Sequence, residues 1–304
     1  MRELYAEYRA FAVPKGKPRF ERIEDELRLL ERHAPIYETL EGRINADPTI
    51  AWLGRKLAAW QVTTAYPIAL QIADEAISED ERKQIASLIY SYIVRRALCD
   101  LGAKNLNRIF QAISNRFVEA GPSVAVLVDF FDARPGPSTR FPSDEEFRRG
   151  ILTNRAYQLA PGTRNKDILW ELELASRPRF AEKVEMPNGL WTEHVLPVSW
   201  TDDWPLPDGD CIDRSQDDPR AGERDRILHT LGNLTLVSGG LNISSGNKGF
   251  LEQKEKYEAH TGLFLNKWFS KQSTWNEDDI RERGADLAEK ATNIWIGLEA
   301  HIPA

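Results

Sequence analysis

Glu193-His194-Val195-Leu196-Pro197 and Leu231-Gly232-Asn233-Leu234-Thr235-Leu236-Val237, with Asn242 beyond them, decide how this chain reads. In the first, Pro197 marks the end of a strand, because proline lacks the N–H that a central strand donates. The second reads as a turn running into a short apolar strand. Farther on, Asn247-Lys248-Gly249 leads into a segment where Phe250, Leu251, Lys254 and Tyr257 recur at helical spacing. The expectation is a hairpin followed by a helix. Neighbouring residues on a regular strand point to opposite faces, so Glu193 and His194 could serve one site only where the strand ends or twists.

These residue types fit phosphodiester hydrolysis. The reaction needs a nucleophile made from water, a counter-charge on the phosphate oxygens and help for the leaving oxygen. A neutral imidazole suits the first task, since its ordinary pKa lies near working pH, and His194 is the candidate base. A hard cation, Mg²⁺ or Mn²⁺, suits the others and requires few protein ligands. Glu193 and Asn242 are the candidate metal ligands. Asn233 is expected to tie two backbone arms of the site together through its amide. His229 reads either as a second phosphate ligand or as a residue capping the strand. Asn247 and Lys248, at the start of a helix, read as phosphate contacts or as ordinary caps. Lys254 reads as a contact to the DNA backbone.

The residues Trp191-Thr192-Glu193-His194-Val195-Leu196-Pro197, His229-Thr230-Leu231-Gly232-Asn233-Leu234-Thr235-Leu236, Leu241-Asn242, Asn247-Lys248-Gly249-Phe250 and Lys254 resemble the His-Asn-His (HNH) domain of GmrSD and SspE type anti-phage restriction proteins. Trp275, Ile280, Arg283, Leu287 and Trp295 fit that family's closing helix. A looser likeness runs upstream through Tyr92-Ile93-Val94-Arg95-Arg96 and Phe141-Pro142-Ser143-Asp144-Glu145-Glu146-Phe147. The resemblance implies a ββα-metal finger embedded in helices and metal-dependent nicking or cleavage of DNA. It also implies an upstream nucleotide-dependent sensing domain, whose motifs do not occur here, so the chain reads as the effector half. It is either a natural short form or a cut piece of a longer protein. Many HNH domains hold a structural zinc on two Cys pairs. With only Cys99 and Cys211, far apart, none is expected.

The 304-residue chain is long enough for two cores. Its hydrophobic content of 41% and mean hydropathy of −0.48 are those of a soluble globular protein. No run approaches a membrane span and no signal peptide is evident, so a cytoplasmic location without membrane contact is expected. A net charge of −7 opposes nucleic-acid binding. Much of that deficit sits in the Asp-rich stretch from Asp202 to Asp218, which reads as a solvated loop between the two strands. Arg95, Arg96, Lys104, Arg108, Arg116, Arg148 and Arg149 are the candidate DNA-facing cations.

Elsewhere the pattern is helical. Ile85, Leu88, Ile89, Tyr92 and Ile93 form one stripe, as in an amphipathic helix. Ile23, Leu27 and Leu30 form another, expected to face inward. Further helices are expected over 107–117 and 124–131, and a last one starts at Asp278-Asp279 with Ile280, Leu287, Ala291, Ile294 and Leu298 on one face. The Pro- and Gly-rich segment 132–140 is the expected boundary. The fold class is therefore mainly α with a small α+β part: a helical domain over 1–140 and an HNH endonuclease domain over 141–304. The competing reading is a catalytically idle nucleic-acid-binding or signalling module of a defence complex.

Overall fold

The computed structural model describes residues 2–182, 184–200, 204–211, 218–238, 249–260 and 262–301. The chain is mainly helical and carries one two-stranded antiparallel sheet. Its helices are α1 (Arg2–Ala12), α2 (Ile23–Leu40), α3 (Pro48–Trp60), α4 (Tyr66–Asp74), α5 (Glu79–Leu98), α6 (Leu106–Ala120), α7 (Val124–Asp132), α8 (Asp144–Thr153), α9 (Ala156–Leu159) and α10 (Thr163–Ser176). Strand β1 (Leu190–His194) follows, then α11 (Pro219–Ile227), β2 (Leu234–Ser238), α12 (Phe250–His260) and α13 (Glu277–Ile294).

Local chemistry accounts for many of the ends. The Ser78 side chain accepts from the Glu81 N–H at the head of α5, and Glu79, Asp80 and Glu81 complement its positive end. Asn276 and Asp279 close a capping box at the start of α13. Asp47 caps α3, with Pro48 in its first turn.

Helix α5 forms the middle of the molecule. From Leu88 to Arg96 every residue is buried, so the expected stripe is in fact a helix enclosed on all sides. The expected DNA-facing pair Arg95 and Arg96 is buried with it. Arg95 donates to the Trp295 and Pro142 carbonyls and pairs with Asp144, while Arg96 donates to the carbonyls of Pro137, Arg140, Leu101 and Gly102. Sequence shows that these residues are charged; only packing shows that their charge is spent on backbone carbonyls. Lys104, Arg108, Arg116, Arg148 and Arg149 are exposed.

Helix α2 departs from expectation in the opposite sense. Ile23, Leu27 and Leu30 are more than half exposed, and the buried residues of α2 are Glu26, Thr39 and Leu40. Only the C-terminal end of the helix enters the core. Leu251 is likewise exposed on α12, where Phe250, Gln253 and Tyr257 are buried. Helix α13 ends at Ile294, so Leu298 lies in the following 3₁₀ turn rather than on its face.

Two buried clusters flank the sheet. The larger runs from Leu40 through α3 to α10 and on to Leu287, Ala291 and Trp295 of the closing segment, and it takes in Leu190, Leu234 and Leu236. The smaller contains Val195, Leu196, Trp204, Val237, Phe250, Tyr257, Phe269 and Trp275. The side chains of β2 thus alternate between the two cores, as a period of two requires. The larger core has side chains from both sides of the Pro- and Gly-rich segment 132–140. The stretch between the strands also contains α11, whose Arg224 is fully buried and pairs with Glu277.

Candidate active site

Strand β1 ends at His194. The register sets Glu193 opposite Thr235 and His194 opposite Leu234. Directly opposed residues share a face, so the two neighbours leave opposite faces of the sheet at the very end of the strand. His194 is buried, with its ring against Tyr157 at a centroid distance of 4.4 Å. Its Nε2 lies 3.0 Å from Nδ1 of His229, close enough for one ring to donate to the other. Burial, reinforced by the neighbouring His229, lowers the His194 pKa to about 4. Burial and the nearby Arg155 lower that of His229 as well, against a smaller opposing effect from Asp225. Both imidazoles are therefore neutral at ordinary pH.

His229 is held in place by its backbone. Its carbonyl accepts from the Tyr157 N–H at 3.1 Å, which fixes the start of α9 and the aromatic wall beside His194. No sequence pattern had pointed to Tyr157; it lies outside every motif and reaches the site by tertiary contact alone.

Asn233 is completely buried and uses its whole amide. Its Oδ1 accepts from the Leu196 N–H at 2.9 Å and from Trp275 Nε1 at 3.0 Å. Its Nδ2 donates to the carbonyls of Leu196 and Leu228, each at 2.9 Å. The side chain takes the place of a strand partner for Leu196, just past the end of β1, while the Asn233 carbonyl accepts from the Val195 N–H at 3.0 Å. The turn holding it has no room to spare. A Cβ on Gly232 would lie 2.2 Å from the Ile280 carbonyl oxygen, so only glycine lets α13 cross here. Arg283 of α13 donates from Nη1 to the Gly232 and Leu234 carbonyls at 2.7 and 2.8 Å, gripping the backbone on both sides of Asn233. The sequence placed Arg283 only in the closing helix; its grip on this turn comes from packing.

Glu193 has a raised pKa, chiefly through burial, and the His194 backbone N–H opposes that shift. Its charge is felt at the Tyr257 phenol of α12, so it faces the helix side of the sheet while His194 faces Tyr157. Among the described residues no group of three or more His, Cys, Asp or Glu side chains is placed to hold a metal. Asn242, Asn247 and Lys248 lie outside the described residues. The raised pKa of a half-buried carboxylate with no ion pair among the described residues is the electrostatic condition that a bound cation would relieve. Lys254 donates to the Gln272 carbonyl at 2.9 Å and approaches Glu258, so part of its hydrogen-bonding capacity is used within the protein. Cys99 and Cys211 form no disulfide with each other. No described helix is long and apolar enough to cross a membrane.

The fold and site together define a helical protein in which a buried histidine at the end of a two-stranded unit meets a second, partly buried histidine, beside a backbone braced by an asparagine. Residues 141–290 match the family described as GmrSD restriction endonucleases, C-terminal domain. No curated protein matches the chain.

Proposed function

We propose that this chain is a metal-dependent DNA endonuclease of the HNH type, the nicking or cleaving effector of an anti-phage restriction protein. In this reading β1, β2 and α12 form a ββα unit within a nuclease domain over 141–304, and residues 1–140 form a helical arm. The arm positions DNA or receives a signal from a nucleotide-dependent sensing domain that is not part of this sequence. The observation that carries the reading is the pair of neutral imidazoles 3.0 Å apart at the end of β1, braced by Asn233 within a restriction-endonuclease family match.

His194 acts as the general base. With Nε2 occupied by His229, the productive tautomer carries its proton on Nε2 and donates it to His229 Nδ1. That leaves the Nδ1 lone pair of His194 free to take a proton from water. His229 sets this tautomer and the ring angle, and Tyr157 excludes water from one side of the ring. Asn233 keeps the strand end rigid, so the ring meets the phosphate in one orientation. Glu193 leaves the sheet face opposite His194, so the two serve one phosphate only around the very end of β1; there Glu193, with Asn242, would hold Mg²⁺ or Mn²⁺, which when bound supplies charge neutralisation at the phosphate and the leaving oxygen. Asn247, Lys248 and Lys254 are proposed as contacts to the DNA backbone.

The test is a plasmid-cleavage assay with Mg²⁺ and with Mn²⁺, comparing the chain with His194→Ala. The expected result is a loss of about 10²–10⁴ in rate with an unchanged circular dichroism spectrum and melting curve. Equal cutting by both proteins, or no cutting of DNA by either, would overturn the proposal. The same assay on RNA identifies a ribonuclease.

A further inference from the structure

On the far side of Arg283 from the histidine pair is a pocket of about 690 Å³ between the 3₁₀ segment Phe264–Lys271 and α13. Its wall carries four cations, Lys267, Lys271, Arg283 and Lys290, against two carboxylates, Glu282 and Asp286. This is a local excess of positive charge on a chain whose net charge is −7. Asp286 is already paired with Lys290, and Lys267 and Lys271 are exposed.

The deeper part of the wall has unmet demand for an acceptor. Arg283 is fully buried, and only its Nη1 is engaged, on the Gly232 and Leu234 carbonyls. Its Nε and Nη2 have no hydrogen-bond partner among the described residues. Those two nitrogens form one edge of the planar guanidinium, the fork that fits two oxygens of a tetrahedral oxyanion. Trp268 Nε1, of the same wall, is also buried and without a hydrogen-bond partner among the described residues. A buried donor left without an acceptor is costly, and three of them sit on two residues of this wall, where an oxyanion would supply several acceptors.

We propose that this pocket binds a phosphate group, with the Nε–Nη2 edge of Arg283 as its bidentate anchor, Trp268 Nε1 as a further donor, and Lys267 and Lys271 drawing the anion in. Arg283 also grips the backbone around Asn233, so a phosphate here steadies the turn that carries the candidate active site. The phosphate is either free, as orthophosphate or the end of a nucleotide, or a diester of a DNA strand passing over this face. The proposal does not depend on catalysis.

The experiment uses the full chain without divalent metal, so that binding is read apart from cleavage. Calorimetric titrations with inorganic phosphate and with a short single-stranded DNA oligonucleotide are made at constant ionic strength. Wild type is compared with the double variant Lys267→Glu, Lys271→Glu and with Arg283→Lys, which keeps the charge but loses the fork. Saturable binding of at least one probe is expected, weakened about tenfold or more in the lysine double variant at an unchanged melting temperature. Binding of orthophosphate identifies a free phosphate ligand, and binding of the oligonucleotide alone identifies the DNA backbone. Loss of binding in a folded Arg283→Lys protein supports the fork as anchor; should that variant not fold, the lysine pair decides. Absence of saturable binding by either probe, or unchanged binding in the double variant, would refute the site. A chain that fails to cut plasmid can still pass this test.

Discussion

Two buried polar clusters in this molecule follow opposite rules. In the helical core, Asp167 accepts from Lys56 Nζ, Trp60 Nε1 and the Tyr90 hydroxyl, and Lys56 also bonds Glu171. There one ammonium answers two carboxylates, each of the three donor groups finds an acceptor, and the cluster ties α3 and α5 to α10. At the end of β1, two neutral histidines share one hydrogen bond, and Glu193 lies half-buried with no ion pair among the described residues. The first arrangement is complete without a ligand and serves stability. The second has no positive charge paired to Glu193 among the described residues and holds a weakly basic ring largely out of water, which costs stability and is the kind of setting in which functional groups are tuned. Asn233 stands between the two rules: it is fully satisfied, yet its hydrogen bonds support the strand end that carries the candidate site.

The sharpest way to break this comparison is to open the satisfied cluster. Asp167→Ala leaves the Lys56 ammonium buried without its inner partner, and a loss of about 3–5 kcal/mol is expected in urea unfolding. Cleavage per folded molecule should be unchanged. A loss of cleavage at full stability would show that the cluster belongs to the site after all.

Acid sharpens the contrast next. Because the folded pKa of His194 is about 4 against an ordinary value of 6.5, the unfolded chain takes up a proton that the folded chain refuses. Stability contributed by this ring is therefore intact above about pH 6.5 and is lost progressively as pH falls towards 4. The loss reaches on the order of 3 kcal/mol and is absent from His194→Ala. For the reaction, a general base at the ordinary histidine value would fail below about pH 6. The environment of His194 moves that break down, so the rate should hold to about pH 5 and collapse near pH 4. A pH–rate profile falling with a midpoint above 6 would exclude His194 as the base in this setting.

Asn233→Ala comes third. It strands the Leu196 N–H, two carbonyls and the Trp275 indole, for an expected loss of about 1–3 kcal/mol, with a parallel drop in rate as the strand end loosens. The smallest effect on stability belongs to Glu193→Gln. Burial raises the carboxyl pKa, so its ionised form opposes folding as pH rises, and removing the charge should raise the melting temperature slightly. The same change should abolish the stimulation of cleavage by Mg²⁺. A lowered melting temperature would mean that Glu193 has a stabilising partner.

Much of the fold could be read along the chain. The helices over 106–120, 124–132 and 277–294 and the end of β1 at His194 follow from apolar spacing, caps and one proline, all of which act within a few residues. What escaped is of one kind. Ile23, Leu27 and Leu30 form a helical stripe that no neighbouring element covers, and periodicity states which residues share a face without stating what that face meets. Arg95 and Arg96 look like surface cations until the segments 101–102 and 137–142 and Trp295 close over α5 and offer them carbonyls. At the candidate site, Glu193, His194 and Asn233 stand out in the sequence because their spacing is a motif, and His229 is ambiguous there because it has two local explanations. Tyr157 and the grip of Arg283 had no local signal.

Sequence alone determined the residue types capable of phosphate chemistry, the strand end that carries one of them, and the family match over 141–290, because these depend on short-range order and on which side chains are present. Only the tertiary structure decided that His194 meets His229, that Arg95 and Arg96 are internal ties, and that two Arg283 nitrogens beside a cationic pocket have no acceptor among the described residues. Those outcomes depend on which groups are brought within 3–4 Å and removed from water, and that is settled by the packing of helices distant in the chain.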